Sequence, residues 1–149
     1  MPTATDTGIL LRLLDRADPH HAGIRQAMRI LRARGDALVT SPQNIAEFWN
    51  VCTRPAAARG DFGLSVQETE RRVRLLERLF RVLADSPATY PFWRQLVVQY
   101  SVQGVQVHDA RLVAWLKAHG LTHLFTLNAR DFARYSGITI LTPQDLQVP

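Results

Sequence analysis

Four acidic residues of this chain stand at positions where carboxylates could act together. Asp6 comes at the end of the first predicted strand, and Asp131 lies in the turn after a later strand. Asp109 begins a predicted helix, and Glu47 is about two turns into another helix whose neighbouring residues are apolar. Ligands of open parallel α/β sheets bind at the carboxyl ends of the strands. The placement therefore predicts that these four acids form one site.

A carboxylate cluster of this kind is typical of metal-assisted chemistry. Clustered carboxylates repel one another, and some must take up protons unless a cation neutralises them. Mg²⁺ and Mn²⁺ prefer oxygen ligands, so acids without His or Cys favour these ions over zinc. Such ions can lower the pKa of a water and hold it in line with a phosphate ester, which favours phosphodiester hydrolysis. Each acid also has a structural explanation, as a turn residue or a helix cap, and spacing alone leaves both interpretations open.

The elements that must position the acids alternate between strand and helix. Ser41 is a predicted N-cap with Pro42 at the first helical position, and Gly35 and Gly120 are predicted helix stops. Strands separated by helices pair in parallel through right-handed crossovers, which predicts an α/β sandwich. Strands are predicted at 3–6, 37–40, 80–84, 124–127 and 138–141. Helices are predicted at 9–14, 22–34, 42–54, 65–79, 90–100 and 109–119, with a loop at 55–64.

The first strand fits this scheme poorly. A central parallel strand is usually rich in Val, Ile and Leu, whereas residues 2–5 read Pro-Thr-Ala-Thr. We expect either a short strand or a chain whose true start lies upstream.

Bulk properties limit the classes of protein to consider. A length of 149 residues without a composition shift predicts a single domain over 1–149. One cysteine, Cys52, excludes an internal disulfide, and we expect it to be a buried apolar side chain. Neither a membrane span nor a secretory signal is recognisable, so we expect a cytoplasmic protein. The net charge of +5, with Lys117 the single lysine among eighteen basic residues, suits a polyanionic partner or a merely solvated surface.

Other metal or phosphate chemistries fit less well. A phosphatase of the haloacid dehalogenase type needs a second acid two residues after Asp6, where this chain has Gly8. A receiver domain would use Asp85 and a lysine after its last strand, but Lys117 lies within a helix. His119 and His123 have helical spacing, yet Gly120 interrupts the helix between them, which disfavours a shared metal.

Four segments of the chain resemble PIN-domain proteins, especially VapC-like toxins of bacterial toxin–antitoxin pairs. The most specific of them is the pattern Thr-x-Asn-x-x-Asp-Phe that ends in Phe132. The resemblance extends from Asp6 to about Pro143 and so covers almost the whole chain. The segments are residues 6–11 (DTGILL), 40–51 (TSPQNIAEFWNV), 108–110 (HDA) and 126–132 (TLNARDF).

The resemblance implies a three-layer α/β/α sandwich with a central, mainly parallel sheet. It also implies an Mg²⁺- or Mn²⁺-dependent endoribonuclease that is a homodimer and is blocked by a cognate antitoxin. The matching acids would be the catalytic metal ligands: Asp6, Glu47, Asp109 and Asp131. Thr7, Thr126 and Asn128 would orient them. Gly8 departs from the family pattern, which often has Asn or Ser there, and this puts one polar contact at the site in question.

A second interpretation stays open beside the enzyme. A PIN-like module could bind RNA or a protein without cutting, although the presence of all four acids favours the enzyme. Cleavage of labelled RNA with Mn²⁺ and with EDTA would separate the two interpretations.

Overall fold

A single parallel sheet forms the centre of the molecule. The computed structural model describes residues 1–56 and 62–147. Its five strands are Thr3–Thr5 (β1), Leu38–Thr40 (β2), Arg81–Val82 (β3), His123–Phe125 (β4) and Thr139–Leu141 (β5). Their order is β3-β2-β1-β4-β5, and every neighbouring pair is parallel. The predicted parallel sheet is therefore confirmed.

Helices cover both faces of this sheet. One apolar cluster, which includes Ile9, Phe48 and Leu76, fills one face, and another, which includes Trp115 and Leu124, fills the opposite face. Two buried layers around one sheet make the three-layer α/β/α sandwich that the resemblance implied. The helices are Thr7–Leu13 (α1), His21–Ala33 (α2), Pro42–Thr53 (α3), Val66–Leu79 (α4), Thr89–Gln99 (α5), Val107–Ala118 (α6) and Ala129–Phe132 (α7).

Strand β1 holds the central position even though it contains no large apolar residue. Thr3, Ala4 and Thr5 are all buried, at 1%, 0% and 0% exposure. Ala4 pairs in register with Val39 of β2 and Leu124 of β4. The expectation of a short first strand agrees with this three-residue element. Its neighbours, rather than its own side chains, supply the apolar surface on both faces.

Local signals explain where two of the helices begin. Asp6 precedes α1, and its Oδ1 accepts a hydrogen bond from the backbone N–H of Ile9 at 3.3 Å. Ser41 precedes α3 and accepts from the N–H of Asn44 at 3.1 Å, with Pro42 at the first helical position. Side-chain oxygens at the N-cap satisfy backbone donors that the helix leaves free. The same caps place both helix starts at the carboxyl edge of the sheet.

The boundaries differ from the prediction at several places. Residues 129–132 form a short helix rather than a turn, because four residues are too few to show helical periodicity. Strand β3 has two residues instead of the predicted five, both of them exposed. Helix α6 begins at Val107, after a 3-10 turn at Gly104–Gln106, so Asp109 lies in its first turn. Part of the predicted loop 55–64, residues 57–61, lies outside the described residues. In the described part of the chain, no helix is long and apolar enough to span a membrane.

Candidate active site

A small cavity of about 100 Å³ opens at the carboxyl edge of the sheet. All four predicted acids line it, although they come from four separate places in the chain. Asp6 follows β1, Glu47 lies in α3, Asp109 in the first turn of α6, and Asp131 in α7. The remaining lining residues are Thr7, Gly8, Gln43, Asn44, Leu112, Asn128 and Phe132. The structure thus brings the predicted acids together around one cavity.

Asp6 is the most enclosed of these acids, with 7% exposure. The hydroxyl of Thr126 donates to its Oδ2, and the backbone N–H of Ile9 donates to its Oδ1. Burial raises the pKa of Asp6 from 3.8 to about 6, since an ionised carboxylate loses its hydration there. The hydrogen bonds from Thr126 and Ile9 oppose this rise, and the nearby Glu47 carboxylate adds to it.

Glu47 is exposed to solvent but held by two side chains. Its Oε2 accepts from the hydroxyl of Thr7 at 3.3 Å, and its Oε1 accepts from the amide of Gln43 at 2.9 Å. Thr7 in turn accepts from Nδ2 of the buried Asn44 at 3.0 Å. Asn44 is itself fixed through its Oδ1 by the hydroxyl of Ser41 at 2.6 Å. A chain of hydrogen bonds therefore runs from the cap of α3 to the Glu47 carboxylate.

Asp109 and Asp131 line the same cavity from α6 and α7. Burial, together with the carboxylates of Asp131, Glu47 and Asp6, raises the pKa of Asp109 from 3.8 to about 6. The nearby His108 opposes this rise. All three other acids act on Asp109, so the four carboxylates form one electrostatically coupled group.

The predicted supporting residues occupy distinct places. Thr7 contacts Glu47, and Thr126 contacts Asp6. The side chain of Asn128 lines the cavity, while its backbone N–H donates to the hydroxyl of Thr126 at 3.0 Å. Thr126 consequently accepts one hydrogen bond and donates another, which fixes the direction of its proton toward Asp6.

The donors around the cavity suit a hard divalent ion. Carboxylate, amide and hydroxyl oxygens line it, and its described lining contains neither His nor Cys. Within residues 1–56 and 62–147, however, no three His, Cys, Asp or Glu side chains are placed so that they could hold one metal ion as they stand, although four acids line the same cavity. The residues therefore fit Mg²⁺ or Mn²⁺ in kind, and the hydrogen bonds to Asp6 and Glu47 already set the orientation of two of the acids.

Comparison with known proteins places the chain in a family. The model of the PIN domain matches residues 4–138. The chain belongs to the PIN-domain family. Among proteins of curated function, none matches this PIN domain significantly in sequence.

Several solved structures share its fold. A chain of VapBC2 from Rickettsia felis, solved with a DNA fragment from its promoter, superposes with a TM-score of 0.71 at 14% identity, covering 95% of this chain and 98% of that one. A toxin–antitoxin complex from Klebsiella pneumoniae gives 0.64 at 23% identity, over 95% and 97%. VapC20 from Mycobacterium tuberculosis, a toxin that cleaves the sarcin–ricin loop, gives 0.64 at 15% identity, over 88% and 93%. At these identities the likeness concerns the fold.

Three polar residues that line or contact this PIN domain's site were not predicted as site residues, namely Gln43, Asn44 and Arg111. Gln43 lies four residues before Glu47 on α3, and residues at that spacing are neighbours on one helix face. That spacing is a signal from which Gln43 could have been found. Arg111 donates to the Oε1 of Gln43 at 2.8 Å, a contact between helices that no sequence spacing indicates.

The residues set aside in the sequence have other partners in the PIN domain. Asp85 forms an ion pair with Arg111 at 3.2 Å. His119 contacts the carbonyl of Ala84 at 2.7 Å, whereas His123 contacts the hydroxyl of Thr122 at 2.8 Å. Cys52 is buried, as expected, and burial raises the pKa of its thiol to about 11.

Proposed function

We propose that this PIN domain is an endoribonuclease that depends on Mg²⁺ or Mn²⁺. The observation that carries the proposal is the convergence of four carboxylates from separate chain segments on one cavity at the carboxyl edge of the sheet. A fold requires no such gathering of like charges, because mutual repulsion makes it costly. Sites of this kind are where ligands bind in parallel α/β sheets.

Asp6, Glu47, Asp109 and Asp131 would hold the ion or ions, directly or through water. The bound cation would supply positive charge for the scissile phosphate and acidify a water for attack on it. The protein's own residues prepare this arrangement. Thr126 and the backbone N–H of Ile9 orient Asp6, while Thr7 and Gln43 orient Glu47.

The site should respond to pH through the same acids. The pKa of Asp6 and of Asp109 is about 6, so both carboxyls release their protons just below neutral pH. Protons and metal ions compete for the same oxygens, because only the ionised carboxylate is a strong ligand. We therefore propose that Mn²⁺ binding strengthens as the pH rises from about 5 to about 7.

We further propose that the protein is the toxin of a toxin–antitoxin pair. The structural likeness to chains from the Rickettsia felis and Klebsiella pneumoniae complexes supports a protein antitoxin as partner. The likeness to VapC20, which cleaves the sarcin–ricin loop, supports RNA as the substrate. A homodimer remains part of this proposal, to be checked by sedimentation. Growth arrest on expression, relieved by a small protein encoded next to the gene, would support the toxin role.

The test uses purified protein and labelled RNA. We expect cleavage with Mn²⁺, none with EDTA, and none by the variant Asp109→Asn, whose amide cannot replace the carboxylate charge. Circular dichroism should show that Asp109→Asn stays folded, because the side chain of Asp109 makes no hydrogen bond within the described part of the chain. Metal-independent cleavage, or RNA binding without cleavage under any metal, would contradict the proposal and favour the non-catalytic binding module.

A further inference from the structure

The side-chain amide of Gln43 bridges two helices that carry acids of the site. Its Nε2 donates to Oε1 of Glu47 at 2.9 Å and to the backbone carbonyl of His108 at 2.9 Å. Its Oε1 accepts from the guanidinium of Arg111 at 2.8 Å. Both amide hydrogens and the amide oxygen are thus used. Gln43 and Glu47 lie on α3, and His108 directly precedes Asp109 on α6, so this one amide links the two acids.

The orientation of this amide is set by its surroundings. A flipped amide would turn its oxygen toward the Glu47 carboxylate and the His108 carbonyl, both of which can only accept. It would also turn its hydrogens toward Arg111, which can only donate. The flipped state therefore loses three hydrogen bonds, and it places acceptor against acceptor and donor against donor. Gln43 is consequently held in one orientation.

The guanidinium of Arg111 is also held by a second partner, Asp85. Its Nη2 donates to Oδ2 of Asp85 at 3.2 Å, so the guanidinium reaches Asp85 and Gln43 at the same time. A planar guanidinium offers several donors in a fixed fork, which a lysine could not reproduce. Asp85 follows β3, and the connection therefore runs from the edge of the sheet through Arg111 and Gln43 to Glu47.

We propose that Gln43 is a positioning residue for the metal site. It sets the direction of the Glu47 carboxylate and ties the start of α6, with Asp109, to α3, while Arg111 and Asp85 lock its amide. This inference rests on the proposed function. It assigns to Gln43 and Arg111 a role in divalent-cation affinity rather than in contact with the reacting atoms.

The test compares Mn²⁺ affinity among near-isosteric variants. Gln43→Met removes the amide and keeps a good helix former, Arg111→Met removes the lock, and Gln95→Met serves as control on the exposed face of α5. Manganese paramagnetic resonance measures the affinity without RNA, and thermal unfolding in EDTA measures the fold. We expect Gln43→Met to weaken Mn²⁺ binding about tenfold, in the range found when residues that orient metal ligands are removed. Arg111→Met should weaken it less, and Gln95→Met should leave it unchanged.

The fold should be little affected by these changes. The lost hydrogen bonds are partly solvated, so the melting temperature of Gln43→Met in EDTA should fall by no more than about 4 °C. Raising the Mn²⁺ concentration should restore much of the cleavage rate of Gln43→Met, which a general folding defect would not allow. If Gln43→Met does not fold, Arg111→Met still tests the role, since it leaves α3 unchanged.

The outcomes separate this inference from the function on which it rests. Wild-type Mn²⁺ affinity in both Gln43→Met and Arg111→Met overturns the inference and leaves the nuclease untouched. A wild-type protein that binds Mn²⁺ but cuts no RNA overturns the nuclease, while the affinity comparison still decides the role of Gln43. A wild-type protein that neither binds Mn²⁺ nor cuts RNA overturns both.

Discussion

Asp6 caps a helix and is also one of the proposed metal ligands. Its Oδ1 accepts a hydrogen bond from the N–H of Ile9 at the start of α1, and its Oδ2 accepts one from the hydroxyl of Thr126. The cap depends on a carboxylate or amide oxygen, whereas metal binding depends on the negative charge. A replacement by Asn should therefore separate the structural role of Asp6 from its chemical role.

The first prediction concerns Asp6→Asn and the pH dependence of stability in EDTA. The pKa of Asp6 is about 6 in the folded chain and 3.8 as the ordinary value, so the folded state holds the proton more tightly than the unfolded state. The free energy of unfolding should therefore decrease as the pH rises from about 4 to about 6 and stay low above that. Asn carries no charge, so Asp6→Asn should melt a few degrees higher than wild type near pH 8, with the difference shrinking near pH 4.

Thermal unfolding in EDTA across this pH range measures the effect. Asp145, which is exposed and outside the cavity, provides the control Asp145→Asn, which should show no such increase near pH 8. An Asp6→Asn variant that melts below wild type near pH 8 would show that the hydrogen bond from Thr126, which the NH2 group of Asn cannot accept, outweighs the cost of the buried charge.

The second prediction concerns Gly8, the position that departs from the family pattern. A Cβ placed there would lie 3.6 Å from Oδ1 of Asp6 and 3.6 Å from Nη1 of Arg12, which is ordinary contact. Gly8→Ser should thus fold and raise the melting temperature by about 1–3 °C, because Ser loses less backbone entropy in a helix than Gly. Gly35→Ser is the control, since Gly35 has a φ of +84° and should lose stability on substitution. Weaker Mn²⁺ binding by Gly8→Ser would mean that the glycine itself is required.

At the scale of elements, β1 shows how a central strand can form without large apolar residues. Its three residues pair with β2 and β4 on both sides, and helices cover both faces. The hydroxyls of Thr3 and Thr5 are buried and make no hydrogen bond within the described part of the chain. A buried hydroxyl without a partner destabilises the fold by the cost of its lost hydration.

The third prediction follows from that cost. Thr5→Val has nearly the same shape and removes the unpartnered hydroxyl, so it should raise the melting temperature by about 2–4 °C, equivalent to about 1 kcal/mol. Thr40→Val is the matched control on the neighbouring strand. The Thr40 hydroxyl donates to the carbonyl of Thr5 at 3.0 Å, and its removal should lower the melting temperature. A loss of stability in Thr5→Val would mean that the hydroxyl has a water partner.

At the scale of the whole molecule, positive charge is concentrated in a groove that is separate from the acidic cavity. A groove of about 630 Å³ beside α1, α2 and α4 is lined by five arginines together with leucines and a methionine. Arg72 spans this region, since its Nη1 donates to the carbonyl of Leu14 at 3.3 Å. The five arginines are Arg16, Arg25, Arg29, Arg32 and Arg72. Five arginines are therefore gathered in one groove whose lining includes none of the four cavity acids.

The fourth prediction is that RNA affinity decreases steeply with salt. The cavity acids repel phosphate, so basic surface elsewhere must supply the attraction, and counterion release then makes binding depend on ionic strength. Fluorescence anisotropy with the variant Asp109→Asn, which should bind RNA without cutting it, should show a linear fall of the logarithm of affinity with the logarithm of salt concentration between about 50 and 200 mM. The slope should be about −0.7 for each phosphate neutralised on a single strand. Affinity that does not change with salt would exclude a phosphate-based encounter.

Local sequence patterns determine some elements of the fold, whereas others depend on tertiary packing. Alternating strand and helix patterns were enough to predict a parallel sheet, because strand and helix periodicity are local properties. Caps such as Ser41 were readable for the same reason. The four-residue α7 was not, and the strand predicted at 80–84 is only two residues long, since such short elements depend on their neighbours for stability.

The candidate site, too, was predictable from the sequence only in part. Acid identity and placement made Asp6, Glu47, Asp109 and Asp131 candidates, because the carboxyl ends of parallel strands share one edge of the sheet. The resemblance to PIN-domain proteins then favoured a metal site over ordinary turn and cap residues. The tertiary structure alone decided that all four line one cavity, that Asp6 is buried with a raised pKa, and that Gln43 and Arg111 link α3 to α6. Burial and long-range hydrogen bonds arise only when distant segments pack together, and no spacing along the chain encodes them.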